Sequence, residues 1–128
     1  MTSYGLLDAA LALLLTNRGL ASEYVEYAAP LINMLLAETF EINNSLRLSK
    51  GLAELEAPPC ISSLEEELPC EEELLRSALP QGLVAKLIMD DGDMSRVAYF
   101  QNQYVNAALD AGKYAARPIE DVYKDGEA

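Results

Sequence analysis

Histidine and tryptophan are absent from this 128-residue sequence, and cysteine occurs only at Cys60 and Cys70. Without histidine, the chain lacks the commonest general base and the commonest metal ligand. The cysteines have no CxxC spacing, so two reduced thiols are favoured over a disulfide. The sequence also contains no motif typical of phosphate binding, serine hydrolases or zinc proteases. We therefore expect a protein that is not an enzyme and that uses no cofactor and no metal.

Basic residues are scarce, at nine against 21 acidic ones, and the formal net charge is -12. A conventional nucleic-acid-binding protein needs a basic surface to neutralise phosphates, and an anionic membrane would repel this chain. Suitable contacts are basic proteins, copies of itself or a solvent-filled passage. The apolar residues 6–15 are too few to span a bilayer, and no Lys or Arg precedes them as in a signal peptide. We expect a soluble protein made in the cytoplasm.

The residues that are present favour helices. Hydrophobic residues make up 51% of the chain, with leucine and alanine the most abundant. Apolar spacings of three and four predict four helices, at residues 3–17, 22–49, 70–89 and 93–116. Pro30 and Pro80 lie inside two of them and predict kinks, with a restart of the helix as the alternative at Pro30. The predicted fold class is all-α: a kinked four-helix bundle in one domain at residues 1–116, with a long acidic loop and an extended tail at residues 117–128.

Local signals predict how several helices begin and end. Gly19 suits a left-handed residue after the first helix. Asn43 and Asn44 are expected to weaken the far half of the second helix. Residues 90–93 are read as a turn with Asp93 as the N-cap, because the EF-hand spacing of calcium ligands is absent. The fourth helix is expected to end at Arg117, since Pro118 disfavours helix at the residue before it.

The first predicted helix is apolar on most of its circumference. A single small domain covers one face of a terminal helix, so the remaining leucines suit contact with another subunit. The equally weighted alternative is a helix at the centre of the core. The candidate subunit-interface residues are Leu6, Leu7, Leu11, Leu14 and Leu15.

The connector at residues 52–69 is long and acidic. Residues 54–73 contain eight glutamates and no Lys or Arg. They form either a solvated surface with helix-start charges or a negative surface presented to a partner or lumen. The candidate residues for that surface are Glu54, Glu56, Glu65, Glu66 and Glu67.

Several stretches share a pattern with a known group of proteins. They are NNSLR at residues 43–47, PCISSLEEELP at 59–69 and ALPQGLVAKLIMDDGDMSRVAYFQNQY at 78–104. Over roughly residues 22–116 the chain resembles the helical adaptor, or head–tail connector, proteins of tailed bacteriophages. It departs from their pattern at Cys60 and Cys70.

The resemblance implies a structural protein of the virion neck, made in the host bacterial cytoplasm. Such adaptors form a ring, commonly of twelve copies, beneath the portal protein, where they extend the DNA channel and join the capsid to the tail. Their partners are the portal, copies of themselves and further neck or tail proteins. DNA passes as cargo without sequence-specific binding, and no membrane is involved. Glutamates on the lumen would repel its phosphates over about 8 Å at physiological salt.

The C-terminal tail is the candidate portal contact under this resemblance. The residues proposed for it are Arg117, Ile119, Val122 and Tyr123. The tail is either disordered or adds to a neighbouring subunit as an extended segment.

A second class of function also fits the charge. A net charge of -12 on a small chain suits an acidic inhibitor that mimics nucleic acid or occupies a basic cleft on a host protein. Oligomeric state discriminates the two, because an inhibitor works as a monomer or dimer, whereas an adaptor forms a ring, either alone or only once it is docked on the portal.

Overall fold

The computed structural model describes the backbone of residues 1–127 and the side chains of residues 1–113. Within this part, the chain is all-helical and has no β-strand. The five α-helices are α1 (Ser3–Leu13), α2 (Val25–Glu38), α3 (Phe40–Ser49), α4 (Glu72–Leu87) and α5 (Met94–Glu127). Short 3-10 turns at Ser22–Tyr24 and Met89–Asp91 precede α2 and follow α4. The predicted all-α class is confirmed, with five helices in place of four.

Helix α1 is capped at Thr2 and ends four residues earlier than predicted, at Leu13. Thr2 is the N-cap, and its hydroxyl accepts a hydrogen bond from the Gly5 amide at 3.1 Å. The helix ends at Leu13, where the amides of Leu15 and Thr16 turn back to the carbonyls of Ala12 and Leu11, each at 3.0 Å. This pair of bonds is the Schellman pattern, which places its central residue in the left-handed region.

The left-handed residue after α1 is Leu15, with φ of 59°. Gly19, which the sequence predicted for that role, does not have a positive φ. The predicted boundary at residue 17 is therefore wrong. The chain forms its C-terminal cap four residues before the glycine because the two capping bonds satisfy carbonyls that the helix end would otherwise leave without donors.

Leu15→Gly should stabilise the protein by about 1 kcal/mol. A left-handed conformation costs a non-glycine residue roughly 1–2 kcal/mol, and glycine adopts it freely. Leu15 is 94% exposed, so its side chain contributes little burial that the substitution would lose. Urea unfolding of the two proteins measures the difference. A variant that is less stable than the parent would mean that the capping geometry is not retained in solution.

The predicted second helix is two helices, separated at Thr39. Thr39 has φ of -100° and ψ of 11°, and its hydroxyl donates to the Leu35 carbonyl at 2.8 Å. Back-bonding of this kind by a threonine bends helices. The helix continues through Pro30 with the loss of one backbone hydrogen bond, because proline has no N–H to donate to the Glu26 carbonyl. The prediction that the helix could restart at Pro30 is therefore wrong, and the interruption lies nine residues further on.

Helix α4 is the centre of the core. It packs against α1, α2 and α5, while α3 packs against α5. Apolar side chains on all sides of α4 are buried, and Pro80 and Gly82 lie within the helix. The predicted limits at residues 70 and 89 are each two residues too wide, because Glu71 is the N-cap and a 3-10 turn follows Leu87.

The N-terminal end of α5 agrees with the sequence prediction. Gly92 is left-handed, with φ of 81°, and the Asp93 carboxylate accepts a hydrogen bond from the Arg96 amide at 3.2 Å. The buried positions on α5 follow the predicted three-four spacing. They are Val97, Phe100, Tyr104, Ala108 and Ala111.

The predicted end of this helix at residue 116 and the extended tail are wrong at the level of the backbone, which is helical over Met94–Glu127. Proline only biases its preceding residue away from helix, and α2 and α4 also continue through prolines. The side chains of Arg117, Ile119, Val122 and Tyr123 lie outside the described residues, so their predicted contact with a portal stays a prediction.

Candidate assembly surfaces

Asparagine side chains hold the connector between α3 and α4 against the helices. The Asn33 amide donates to the Ile61 carbonyl at 2.9 Å and accepts from the Ile61 amide at 2.7 Å. Asn44 makes the same pair of bonds with Leu55, at 3.1 and 2.8 Å. Each side chain thus satisfies both backbone groups of one connector residue, as a neighbouring β-strand would.

A third asparagine fixes the end of the connector. The Asn43 oxygen accepts from the Glu71 amide, at the N-cap of α4, at 2.9 Å. Asn43 and Asn44 are both buried. The prediction that they only weaken the second helix missed this role. A signal was present, because a polar residue on the buried face of a helix needs a hydrogen-bonding partner.

The start of the chain lies along the far part of the connector. The amides of Ser3 and Tyr4 donate to the carbonyls of Glu66 and Leu64 at 3.0 and 2.9 Å. Three connector side chains enter the hydrophobic core beside α1. They are Ile61, Leu64 and Leu68. The connector is therefore a packed layer of the fold.

This layer decides where the leucines of α1 lie. Leu6, Leu7 and Leu11 are fully buried within the chain. Their prediction as subunit-interface residues is wrong, because α4 and the connector cover the faces that a small bundle was expected to leave open. These three residues fit the alternative prediction, in which the helix lies at the centre of the core. Leu14 is half-buried against the core, whereas Leu15 is exposed and remains a candidate for contact.

The five candidate acidic residues are all exposed on the connector. The Glu66 carboxylate accepts from the Ser62 hydroxyl at 2.8 Å and from the Ser62 amide at 3.2 Å. Glu67 pairs with the terminal amino group at 3.0 Å. The connector thus presents negative charge outward from a backbone that is held in place.

The glutamates at the start of α4 are used differently. The Lys50 ammonium lies 2.9 Å from the Glu71 carboxylate and 2.7 Å from that of Glu73. The hydrogen bond from Lys50 holds the pKa of Glu73 below its ordinary value. These charges join α3 to α4, so the acidic segment divides into an outward-facing connector and a paired helix start.

A polar cluster joins α2, α4 and α5 near the break at Thr39. The Tyr104 hydroxyl donates to one Glu38 oxygen at 2.8 Å, and Lys86 donates to the other at 2.8 Å. Burial, together with the bond to Glu38, raises the pKa of Tyr104. Tyr104 is itself a buried residue of the hydrophobic core.

Acidic groups, two thiols and one surface depression complete the features of the described residues. Within residues 1–113, no group of three or more Cys, Asp or Glu side chains is arranged to hold a metal ion. Cys60 is exposed and Cys70 is partly buried, and both are free thiols. Burial raises the pKa of the Cys70 thiol to about 12. An open depression between α4 and α5 is lined by Glu72, Glu73, Arg76 and Asp110, among others, and Arg76 pairs with Glu72 at 3.5 Å.

Exposed apolar side chains are the remaining surface feature. The largest are spread over the loop after α1, the outer sides of α2 and α5, and the turn between α4 and α5. They include Leu15, Leu20, Tyr27, Met34, Met89, Met94, Tyr99 and Leu109. Among the described helices, none combines the length and apolarity needed to cross a membrane.

Comparisons of the chain with protein-family models, with curated proteins and with solved structures give no match.

Proposed function

We propose that this chain is a structural adaptor of a tailed-bacteriophage neck, which forms a ring beneath the portal, extends the DNA channel and joins the capsid to the tail. The observation that carries the proposal is the ordered connector, which presents Glu54, Glu56, Glu65, Glu66 and Glu67 to solvent. A ring that turns this surface inward has a negative wall, which repels phosphate and lets DNA pass without adhering. The resemblance of residues 22–116 to such adaptors supports the same assignment.

The exposed apolar residues also support assembly with other proteins. Leu15 is almost fully exposed although its backbone conformation is strained, and Leu20 nearby is 78% exposed. Strained residues persist where surrounding contacts or function retain them. A protein that completes its surface with subunits accommodates such residues more readily than a protein that remains alone in solution.

The direct test mixes the purified chain with the portal protein and images the product by electron microscopy. We expect a ring of added density on one face of the portal. A chain that leaves the portal bare, and instead binds a basic protein one to one with an affinity that falls steeply as salt is raised, would establish the inhibitor alternative.

Deletion of residues 117–128 tests the predicted portal contact. We expect the shortened chain to lose co-purification with the portal while the body at residues 1–113 keeps its unfolding midpoint. The reason is that the deleted residues contain Ile119, Val122 and Tyr123, the apolar residues proposed to bind the portal. Undiminished co-purification would rule the segment out as the contact.

A further inference from the structure

The two longest uncharged runs in the sequence both lie on helices that are partly exposed. They are residues 97–109 on α5 and residues 27–37 on α2. Charged residues make up 23% of the chain. Charged side chains are normally found at the exposed positions of helices. Exposed positions that stay uncharged over several turns therefore differ from an ordinary solvent-facing surface.

On α5, the uncharged run exposes a continuous surface beside the buried stripe. Ala98, Asn102, Val105 and Leu109 recur at steps of four and three, the spacing of a helix–helix seam. Leu109 is 59% exposed. We call the exposed uncharged residues of this run the α5 face. They are Ala98, Tyr99, Gln101, Asn102, Gln103, Val105, Asn106 and Leu109.

On α2, four exposed residues make a second seam, which we call the α2 stripe. Tyr27, Pro30, Met34 and Ala37 recur at steps of three and four, and Met34 is 52% exposed. Connector residues 57–64 carry no charge either, and the bonds between Asn33 and Ile61 hold them beside this helix. The uncharged surface on this side therefore extends beyond α2 onto the connector.

The charge of the molecule indicates what these surfaces contact. A basic partner would be drawn to the acidic connector and away from surfaces without charge. Two copies of this chain each carry -12, so they repel one another wherever acidic surfaces meet. Surfaces without charge are where copies can approach, and the centres of protein interfaces are depleted in charged residues. The occupant that fits is a second copy of this chain.

We propose that the α2 stripe of one copy packs against the α5 face of the next, in a head-to-tail contact. The inference rests on the proposed ring, since a ring requires two different surfaces on each copy. Helices α2 and α5 both pack on α4, so the two surfaces belong to different helices flanking the centre of the core.

The chemistry of the two surfaces is complementary. The α2 stripe offers an aromatic ring and a flexible methionine, and the α5 face offers Val105 and Leu109 between amide side chains. Pro30 has no N–H, so the Glu26 carbonyl lacks its usual donor within the helix. The amides of Gln101, Asn102 and Asn106 supply donors of the required kind.

The contact is small. The α5 run spans about 20 Å at 1.5 Å per residue, and a helix face about 10 Å wide gives on the order of 200 Å². Stable complexes bury about 800 Å² per partner. One pair of copies therefore associates weakly, and closing a ring or docking on a portal adds the contacts that hold the assembly together.

Sedimentation velocity of single-charge variants tests this contact. In about 0.5 M salt, which reduces the screening length to about 4 Å, the wild type at about 1 mM should form species larger than a dimer. Met34→Glu and Leu109→Glu should each reduce the association constant at least tenfold. Mixing the two variants should give dimers and nothing larger, because each supplies the intact surface that the other lacks.

Leu48→Glu is the matched control, because Leu48 is 53% exposed and lies on α3. It places the same charge at an exposed leucine outside both surfaces, so it should associate as the wild type does. Salt gives a second check, because screening strengthens contact between like-charged copies and weakens binding to a basic protein. The variants should keep the circular dichroism spectrum and unfolding midpoint of the parent, since both substituted side chains are half exposed.

Three results would overturn the contact. The wild type could stay monomeric at about 1 mM, Met34→Glu alone could associate as the parent does, or both variants could still form wild-type rings on the portal. The last result would leave the adaptor function standing and move the contact elsewhere.

Wild-type self-association through these surfaces without any portal binding would keep the contact and remove the adaptor function. Loss of portal binding in Leu109→Glu, with a monomeric wild type, would assign the α5 face to the portal.

Discussion

Gly82→Ala should destabilise the protein by about 1–3 kcal/mol, although alanine is the better helix former. A methyl group at this position would lie 2.7 Å from the Leu35 Cδ2 atom and 2.8 Å from the Tyr104 Cδ1 atom. The leucine end can rotate aside. The tyrosine ring is less free, because its hydroxyl is bonded to Glu38. The absence of a side chain at Gly82 is what lets α2, α4 and α5 meet this closely.

Gly112→Ala is the matched control for this substitution. Gly112 also lies in a helix, and a methyl group there would have no neighbour within 4 Å. This variant should gain about 0.5–1 kcal/mol from helix propensity alone. Urea unfolding monitored by circular dichroism measures both. If Gly82→Ala were as stable as Gly112→Ala, the close approach of the three helices would not exist in solution.

The helix content and the buried side of α5 could be predicted from the sequence because both follow from local rules. Spacing at three and four positions Val97, Phe100 and Tyr104 on one side, and Asp93 before them is a strong N-cap residue. No distant part of the chain competes with either preference. Such elements are the ones for which a pattern of residues is sufficient.

The end of α1 and the break at Thr39 could not be predicted because a local preference was outweighed. Gly19 is the better left-handed residue, yet the helix is capped at Leu15, where two carbonyls find donors. Pro30 is the stronger helix breaker, yet the interruption occurs where Thr39 bonds back to Leu35. Residue preferences rank candidate positions, and the tertiary packing selects among them.

The prediction of a subunit interface on α1 was wrong for a related reason. The sequence shows that Leu6, Leu7 and Leu11 need cover, but it does not show that the connector is packed tightly enough to provide it. Because other parts of the chain bury these leucines, the apolar residues that stay exposed lie mainly outside α1. The proposed contact between copies therefore uses the outer sides of α2 and α5, where uncharged residues stay exposed after the chain has folded.

The asparagine bonds to the connector lead to the second large effect. The double variant Asn33→Ala, Asn44→Ala should be less stable than the parent by about 2–4 kcal/mol. It removes the partners of four partly buried backbone groups, those of Ile61 and Leu55, and each unpaired buried group costs about 1–3 kcal/mol unless water reaches it. Without these bonds the connector is held to the helices mainly by its buried apolar side chains, among them Ile61.

Limited digestion with a glutamate-specific protease reads out the same event locally, because the connector carries its own exposed cleavage sites at Glu54, Glu56 and Glu65. Cleavage there requires the backbone to open, so the double variant should be cut at least ten times faster than the parent, about 1.4 kcal/mol of local stability. Asn106→Ala, an exposed change of the same type on α5, should leave both the unfolding midpoint and the cleavage rate unchanged.

Equal cleavage of parent and double variant would mean that the connector moves freely already. A mobile connector could not present a fixed acidic wall to DNA, and the observation on which the adaptor function depends would be lost.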